Sequence, residues 1–160
     1  MARIDDVLKL VGQLNYVWTN TESLFIYLIE ILTKTNKEAA IVIFLTLNTT
    51  RSRIDLLERL SKTSGVSSET RSEIAALMSQ LKKEAKLRNK YNHCIYSFDA
   101  SGEFGTTQLM RIAEFNDNMK YGKVESLDDD EVKRIQSAIT SVTQVNKDIW
   151  RFIHNNNIAA

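Results

Sequence analysis

Proline is absent from the 160 residues, and glycine occurs only five times. The two residues that most sharply interrupt a helix are therefore missing from long stretches. Four of the glycines, Gly65, Gly102, Gly105 and Gly122, fall where the apolar period breaks. Cysteine occurs once, at Cys94, which excludes an internal disulfide and a multi-cysteine metal site. The two histidines, His93 and His154, lie far apart in sequence and argue against structural zinc. Neither sign of charge prevails. The net charge of +1 does not suit a protein that grips duplex DNA with its whole surface, and leaves open a local site for short or single-stranded nucleic acid. Long apolar runs are also missing: Ile41–Leu45 is far too short to cross a bilayer. The opening Met-Ala-Arg-Ile-Asp-Asp has no apolar core of signal-peptide length behind it. The expectation is a cytoplasmic protein with no membrane partner, no bound metal and no cofactor.

What is present is an ordinary globular composition, with 43% apolar and 26% charged residues, enough to form a core and too apolar for wholesale disorder. The length fits a single domain over 1–160. Ile4, Val7, Leu8, Val11 and Leu14, then Phe25, Leu28, Ile29 and Leu32, recur at helical spacing. The polar run Thr19–Glu22 between them is a kink or a cap, so residues 3–33 form one helix or two. A second helical segment covers about 37–64 and ends at Gly65. A third starts after Ser67 or Ser68 and carries Ile74, Leu77, Met78, Leu81 and Ala85 inward. The last opens at Asp128 with Glu131 three positions on, a capping-box spacing, and carries an apolar face from Val132 to Ile153.

Between these helices, residues 95–127 break the helical period. Ile95–Phe98 has strand character, Asp99-Ala100-Ser101-Gly102 signals a turn, and the chain from Phe104 to Ile112 can supply a return strand. The fold expected is all-α, a four- to five-helix bundle with a small β-hairpin insertion before the last helix and a frayed tail over 155–160.

The run Arg88-Asn89-Lys90-Tyr91-Asn92-His93 conflicts with this pattern. At about 100° per residue from Ala85, Arg88 falls at roughly −60°, Asn92 at −20°, Asn89 at +40° and His93 at +80°. The stripe that carries Met78 and Leu81 thus turns polar without changing face, and such contradictions tend to mark functional sites. Arginine can hold a phosphodiester in its fork of donors, histidine can move protons near neutral pH, and asparagine can orient either. No acidic cluster accompanies them, so a two-metal mechanism is not indicated. The plainer reading is an Arg and a His that satisfy carbonyls and the dipole at a helix end.

RNKYNH resembles the Arg-x4-His motif of the HEPN superfamily, including the polar residue, here Asn89, directly after the arginine. The setting is similar too: a helical bundle with the motif at the end of a late helix, before a variable connection and a final helix. By architecture the resemblance covers nearly the whole chain, and by residues it is concentrated in Leu87 to Phe98. It implies a metal-independent RNA endonuclease, with His93 as general acid or base on a 2′-hydroxyl attack, Arg88 stabilising charge at phosphorus and Asn89 positioning the pair. One histidine is half of an acid–base pair, and HEPN proteins typically dimerise with two motifs facing each other, so the implied state is a homodimer. The resemblance also implies toxin–antitoxin relatives whose partner is a nucleotidyltransferase-type antitoxin. In some of these a tyrosine two residues after the histidine is modified. Here that position is Ile95, and Tyr96 comes one later. The other functional class implied is a non-catalytic HEPN-like module that binds a nucleotide or a protein.

Asn92, Tyr96 and Arg51 are further candidates for holding substrate. Arg51 and Arg53 lie in a polar stretch that can instead pair with carboxylates such as Asp55 or Glu58. Cys94, next to His93, points away from it on any regular element and reads as a small buried residue. Trp18, Phe25, Phe44 and Trp150 read as core rather than as base-stacking platforms. Asp128–Glu131 reads as a charged first helical turn rather than a cation site, and His154 as a helix-end residue.

Overall fold

A computed structural model describes residues 3–156. It contains six helices and five short strands: α1 (Ile4–Ser23), α2 (Phe25–Thr33), α3 (Lys37–Thr46), α4 (Thr50–Ser61), α5 (Ser68–Asn92), β1 (Cys94–Phe98), β2 (Gly105–Leu109), β3 (Ile112–Phe115), β4 (Asn118–Tyr121), β5 (Val124–Ser126) and α6 (Asp129–Asn155). The expected fold class holds: a mostly helical chain with a small β insertion before its last helix. The frayed tail concerned residues that, beyond Asn155 and Asn156, lie outside those described.

Residues 3–33 make two helices with only Leu24 between them. The polar run does not cap the second helix. Thr21 Oγ1 turns back to donate to the Val17 carbonyl at 2.7 Å, and Ser23 Oγ to that of Asn20 at 2.7 Å. Such back-bonding competes with the helical ladder and bends it. The 37–64 segment is likewise two helices. Asn36 caps α3 by accepting from the Ala39 amide at 2.8 Å, and Thr49 caps α4 by accepting from that of Ser52 at 3.1 Å. Helix α4 stops at Ser61, ahead of Gly65, where the Ser61 hydroxyl donates to the Glu58 carbonyl. Ser67 caps α5 from the Thr70 amide at 3.1 Å, and Asp128 caps α6 from the Glu131 amide at 2.9 Å.

The chain divides into two compact units, each built from separate stretches. The larger holds residues 17–83 and 141–156. Trp18, Phe25, Leu28, Ile29, Phe44, Leu57, Ile74, Met78, Leu81, Ile149 and Ile153 are buried in it. Glu22 is buried there as well. It accepts from Trp18 Nε1, Thr50 Oγ1 and Arg53 Nη1, each near 3.0 Å, while Arg53 Nε donates to the Phe44 and Leu47 carbonyls. Trp150 is only half buried, between the rings of Tyr27 and His154. Leu45, counted in the apolar stripe of the second segment, is exposed.

The other unit holds residues 3–16 and 84–140. Val7, Leu14, Tyr91, Cys94, Leu127, Ile135 and Ala138 form its core, with Leu87, Tyr96 and Phe98 packed against them. Leu8, about 100° around α1 from Val7, is exposed. The expected hairpin is β1–β2, with Cys94 opposite Leu109 and Phe98 opposite Gly105. Asp99 holds its turn by accepting from the Glu103 amide at 3.1 Å and the Ser101 hydroxyl at 2.8 Å, and Gly102 takes the left-handed conformation there. Strand β5 pairs with β2 on its other side. The expectation missed a second hairpin, β3–β4, closed by Asn116-Asp117 with Asn116 at φ 52°. Gly122, at its exit, lies against the Leu109 backbone, where a Cβ would fall 1.9 Å from the carbonyl oxygen.

Candidate functional site

Helix α5 delivers the 88–93 run to the smaller unit, and the run divides by helical angle into two groups. Arg88 and Asn92, one turn apart, are both half buried. With its amide oxygen turned to the guanidinium, Asn92 accepts from Arg88 Nε at 3.0 Å and Nη2 at 3.3 Å, and its nitrogen donates to Asn15 Oδ1 of α1 at 2.7 Å. Asn89 Oδ1 accepts from Arg88 Nη1 at 3.2 Å. Asn15 thus fixes Asn92, and Asn92 together with Asn89 orients the arginine fork.

Two of the four polar groups expected on the inward face are exposed: Asn89 and His93. Tyr91, roughly 120° from Ala85 around the helix, is the buried member of the run. The smaller unit takes Tyr91 into its core, with Leu87 half buried against it. His93 also lies just past the last helical residue, in a bend where its amide donates to the Lys90 carbonyl at 3.2 Å and its carbonyl accepts from Met110 N at 3.2 Å. Among the described residues its imidazole makes no hydrogen bond or ion pair. A neighbouring groove along α5 and α6, lined by Glu84, Leu87, Lys133, Arg134, Ser137 and Ala138, does not include it.

The inward group centres on Glu131. Its buried carboxylate accepts from the Tyr91 hydroxyl, from Lys90 Nζ at 3.0 Å and from Arg134 Nη1 at 2.9 Å. Lys90 also pairs with Glu125 at 2.5 Å. Burial pulls the Lys90 ammonium down, but hydrogen bonds and charge from Glu125 and Glu131 outweigh it and leave its pKa raised. Lys90 in turn lowers that of the Glu125 carboxyl. The Tyr91 hydroxyl is pushed far up, first by burial and then by its bond to the Glu131 carboxylate. The capping-box spacing is therefore half used: Asp128 caps, while the Glu131 side chain turns to α5 instead of to the Asp128 amide.

Of the remaining candidates, Tyr96 is half buried, and its hydroxyl donates to the Tyr91 carbonyl at 2.5 Å. Its pKa is raised, first by burial. Arg51 is exposed on α4 and belongs to the other unit. Cys94 is buried, and burial pushes its thiol up, away from nucleophilic character. Sequence reasoning missed Asn15 and the role of Glu131. Among the described residues no His, Cys, Asp or Glu side chains group to hold a metal, and no helix is long and apolar enough to cross a membrane.

No protein-family model, curated protein or solved structure matches this chain. The site's own chemistry is an oriented guanidinium on the last turns of α5 and, just past the end of that helix, an exposed imidazole.

Proposed function

We propose that the protein is a metal-independent RNA endonuclease of HEPN type, active as a homodimer that completes the Arg-x4-His site. The observation that carries this reading is the oriented Arg88. Asn92 and Asn89 hold its fork from two sides, at a cost in ordering that a surface arginine with no task would not require. In the reaction, one His93 takes the proton of a 2′-hydroxyl, whose oxygen attacks the adjacent phosphorus. The 5′-oxygen leaves with a proton from His93 of the partner subunit, and a 2′,3′-cyclic phosphate remains. Arg88 neutralises charge on the non-bridging oxygens. An exposed His93, whose imidazole makes no hydrogen bond or ion pair among the described residues, suits a site completed by a second copy. A cytoplasmic location and RNA as substrate follow from this reading. The inward-turned Tyr96 hydroxyl makes modification by a nucleotidyltransferase-type antitoxin a poor fit at that position.

The second reading is a non-catalytic HEPN-like module that binds a nucleotide or a protein. It is favoured by the position of His93, exposed and past the end of α5, outside the cluster of Arg88, Asn89 and Asn92. A ribonuclease assay in EDTA separates the two, comparing the wild type with His93→Ala and Arg88→Ala. Cleavage that falls at least a hundredfold in both variants supports the first. Equal cleavage by all three proteins removes the catalytic assignment, and no cleavage by any, with nucleotide binding lost in Arg88→Ala, selects the second.

A further inference from the structure

Asn15 reaches the Arg88 cluster from α1, far from the 88–93 run in sequence and within the same compact unit. Its place is fixed from behind. Val7 and Leu14 are fully buried in the core, and Asn15 falls roughly 80° around the helix from Val7, at the edge of that buried face. Asn15, Arg88 and Asn92 are all half buried. Withdrawing an amide from water at a helix–helix contact is unfavourable unless its hydrogen bonds are replaced, and here they are.

The hydrogen bonds run in one direction. An asparagine amide has a donor end and an acceptor end, and half a turn about its last bond exchanges them. Only the acceptor end suits a guanidinium, which carries donors and no acceptor. Asn15 Oδ1 takes the Asn92 nitrogen at 2.7 Å, which leaves the Asn92 oxygen facing Arg88 Nε at 3.0 Å and Nη2 at 3.3 Å. The Asn89 oxygen accepts from Nη1 at 3.2 Å, so the planar group is held from two sides. These three acceptor contacts are to neutral amide oxygens. They orient the guanidinium without cancelling its charge, as a carboxylate in the same place would. A charged fork set in a fixed plane is matched to an anion that offers two oxygens at once, as the non-bridging oxygens of a phosphodiester do.

We propose that Asn15 is a positioning residue for phosphate: through Asn92 it sets the plane in which the Arg88 guanidinium binds a phosphodiester of single-stranded RNA. This deepens the ribonuclease reading and rests on it for the identity of the ligand, but it does not require that His93 cleave the strand. The role acts entirely through Arg88, and this separates it from a structural one. With Asn15 removed, Asn92 can turn over and the fork loses its plane. With Arg88 already removed, the loss of Asn15 has nothing further to disturb at the phosphate.

The test is a double-mutant cycle on the full chain. It is read as the binding of a 2′-O-methyl oligouridylate, a single strand with no free 2′-hydroxyl to attack, by fluorescence anisotropy. Asn15→Leu keeps the side-chain volume and removes the acceptor. Asn15→Ala takes its place in the cycle if the leucine variant does not fold, and circular dichroism checks the helices of each. Arg88→Ala is expected to weaken binding roughly tenfold, and Asn15→Leu roughly threefold to tenfold. The double variant Asn15→Leu/Arg88→Ala is expected to bind as Arg88→Ala does, because the two residues act as one unit. Losses that multiply in the double variant overturn the proposal. So does an Asn15 or Arg88 variant that binds like the wild type, or a wild type that binds no strand. The ribonuclease assay is read separately. A chain that follows this cycle and never cleaves RNA defeats the catalytic reading and leaves the positioning role standing, and a chain that cleaves with a multiplicative cycle does the reverse.

Discussion

The hydroxyl of Tyr91 donates to the carboxylate of Glu131, forty residues further along the chain, and both groups are buried. Lys90, the residue before Tyr91, reaches the same carboxylate. The last turn of α5 is thereby tied to the first turn of α6. The bond from Tyr96 to the Tyr91 carbonyl ties that turn to β1 as well. Arg88 and His93 flank this anchored turn, so its rigidity is transmitted to the candidate site.

Tyr91→Phe removes one of the three donors to a buried carboxylate. The expected loss is about 1–3 kcal/mol, because hydrogen bonds to charged groups are worth more than neutral ones and the oxygen is left short of a partner. Glu131→Leu leaves Lys90 and Arg134 their exposed or Glu125-paired alternatives, and is expected to destabilise less than Tyr91→Phe and Lys90→Met combined. Urea unfolding of the four proteins, followed by circular dichroism, checks the order.

Glu125 has a folded-state pKa below the ordinary carboxylate value of about 4.5, set by Lys90. Its contribution to stability is fully present above that value and is lost as pH falls through the lowered one. Lys90 and Tyr91 have raised pKa values. Their contributions are present below their ordinary values, near 10, and are lost as pH rises through the raised ones. Stability is therefore expected to hold across neutral pH and to fall at both ends. Glu125→Gln should flatten the acid limb and leave the alkaline limb governed by Tyr91. Thermal melts between pH 3 and pH 11 read both limbs.

In the larger unit, Arg53→Met leaves the buried Glu22 carboxylate with only Trp18 and Thr50 as donors and frees the Phe44 and Leu47 carbonyls. Breaking one side of such a pair costs about 3 kcal/mol, or roughly 10 °C in Tm for a chain of this size. Replacing both partners, as Glu22→Gln/Arg53→Met, is expected to recover part of that loss. Calorimetry on the single and double variants measures the coupling.

The helices were legible because their evidence is local. Capping residues at Ser67 and Asp128 and the i, i+3, i+4 stripes act within a turn or two, whereas the caps at Asn36 and Thr49, which divide 37–64 into two helices, were missed. Arg88 and Asn92 fall on one face by the same local rule, but the sequence offered Asn92 as a substrate contact, and its bond to Arg88 comes from the structure. Asn15 was not legible, because no local pattern says which surface of α1 meets the end of α5. Spacing alone makes Glu131 a capping residue, and only the tertiary structure reveals that its carboxylate faces Tyr91. Extending the stripe from Ile74 to Ala85 unchanged predicts the wrong edge of α5, because the smaller unit buries Tyr91 with Leu87 half buried against the same core. The second hairpin carried a signal in Asn116-Asp117, but its exposed Ile112, Phe115, Met119 and Tyr121 gave no sided alternation from which to infer strands.

The division of the 88–93 run between an outward and an inward group has a consequence for how its positions tolerate change. A saturation screen that scores protein abundance and a screen that scores activity should yield different profiles within a single turn of helix. Positions 90 and 91 should register mainly in abundance, since their side chains serve the buried carboxylate. Positions 88 and 93 should register mainly in activity, and position 92 in both. Two maps that coincide across all six positions would mean that the run is architecture throughout, and that the polar face at the end of α5 has no separate task.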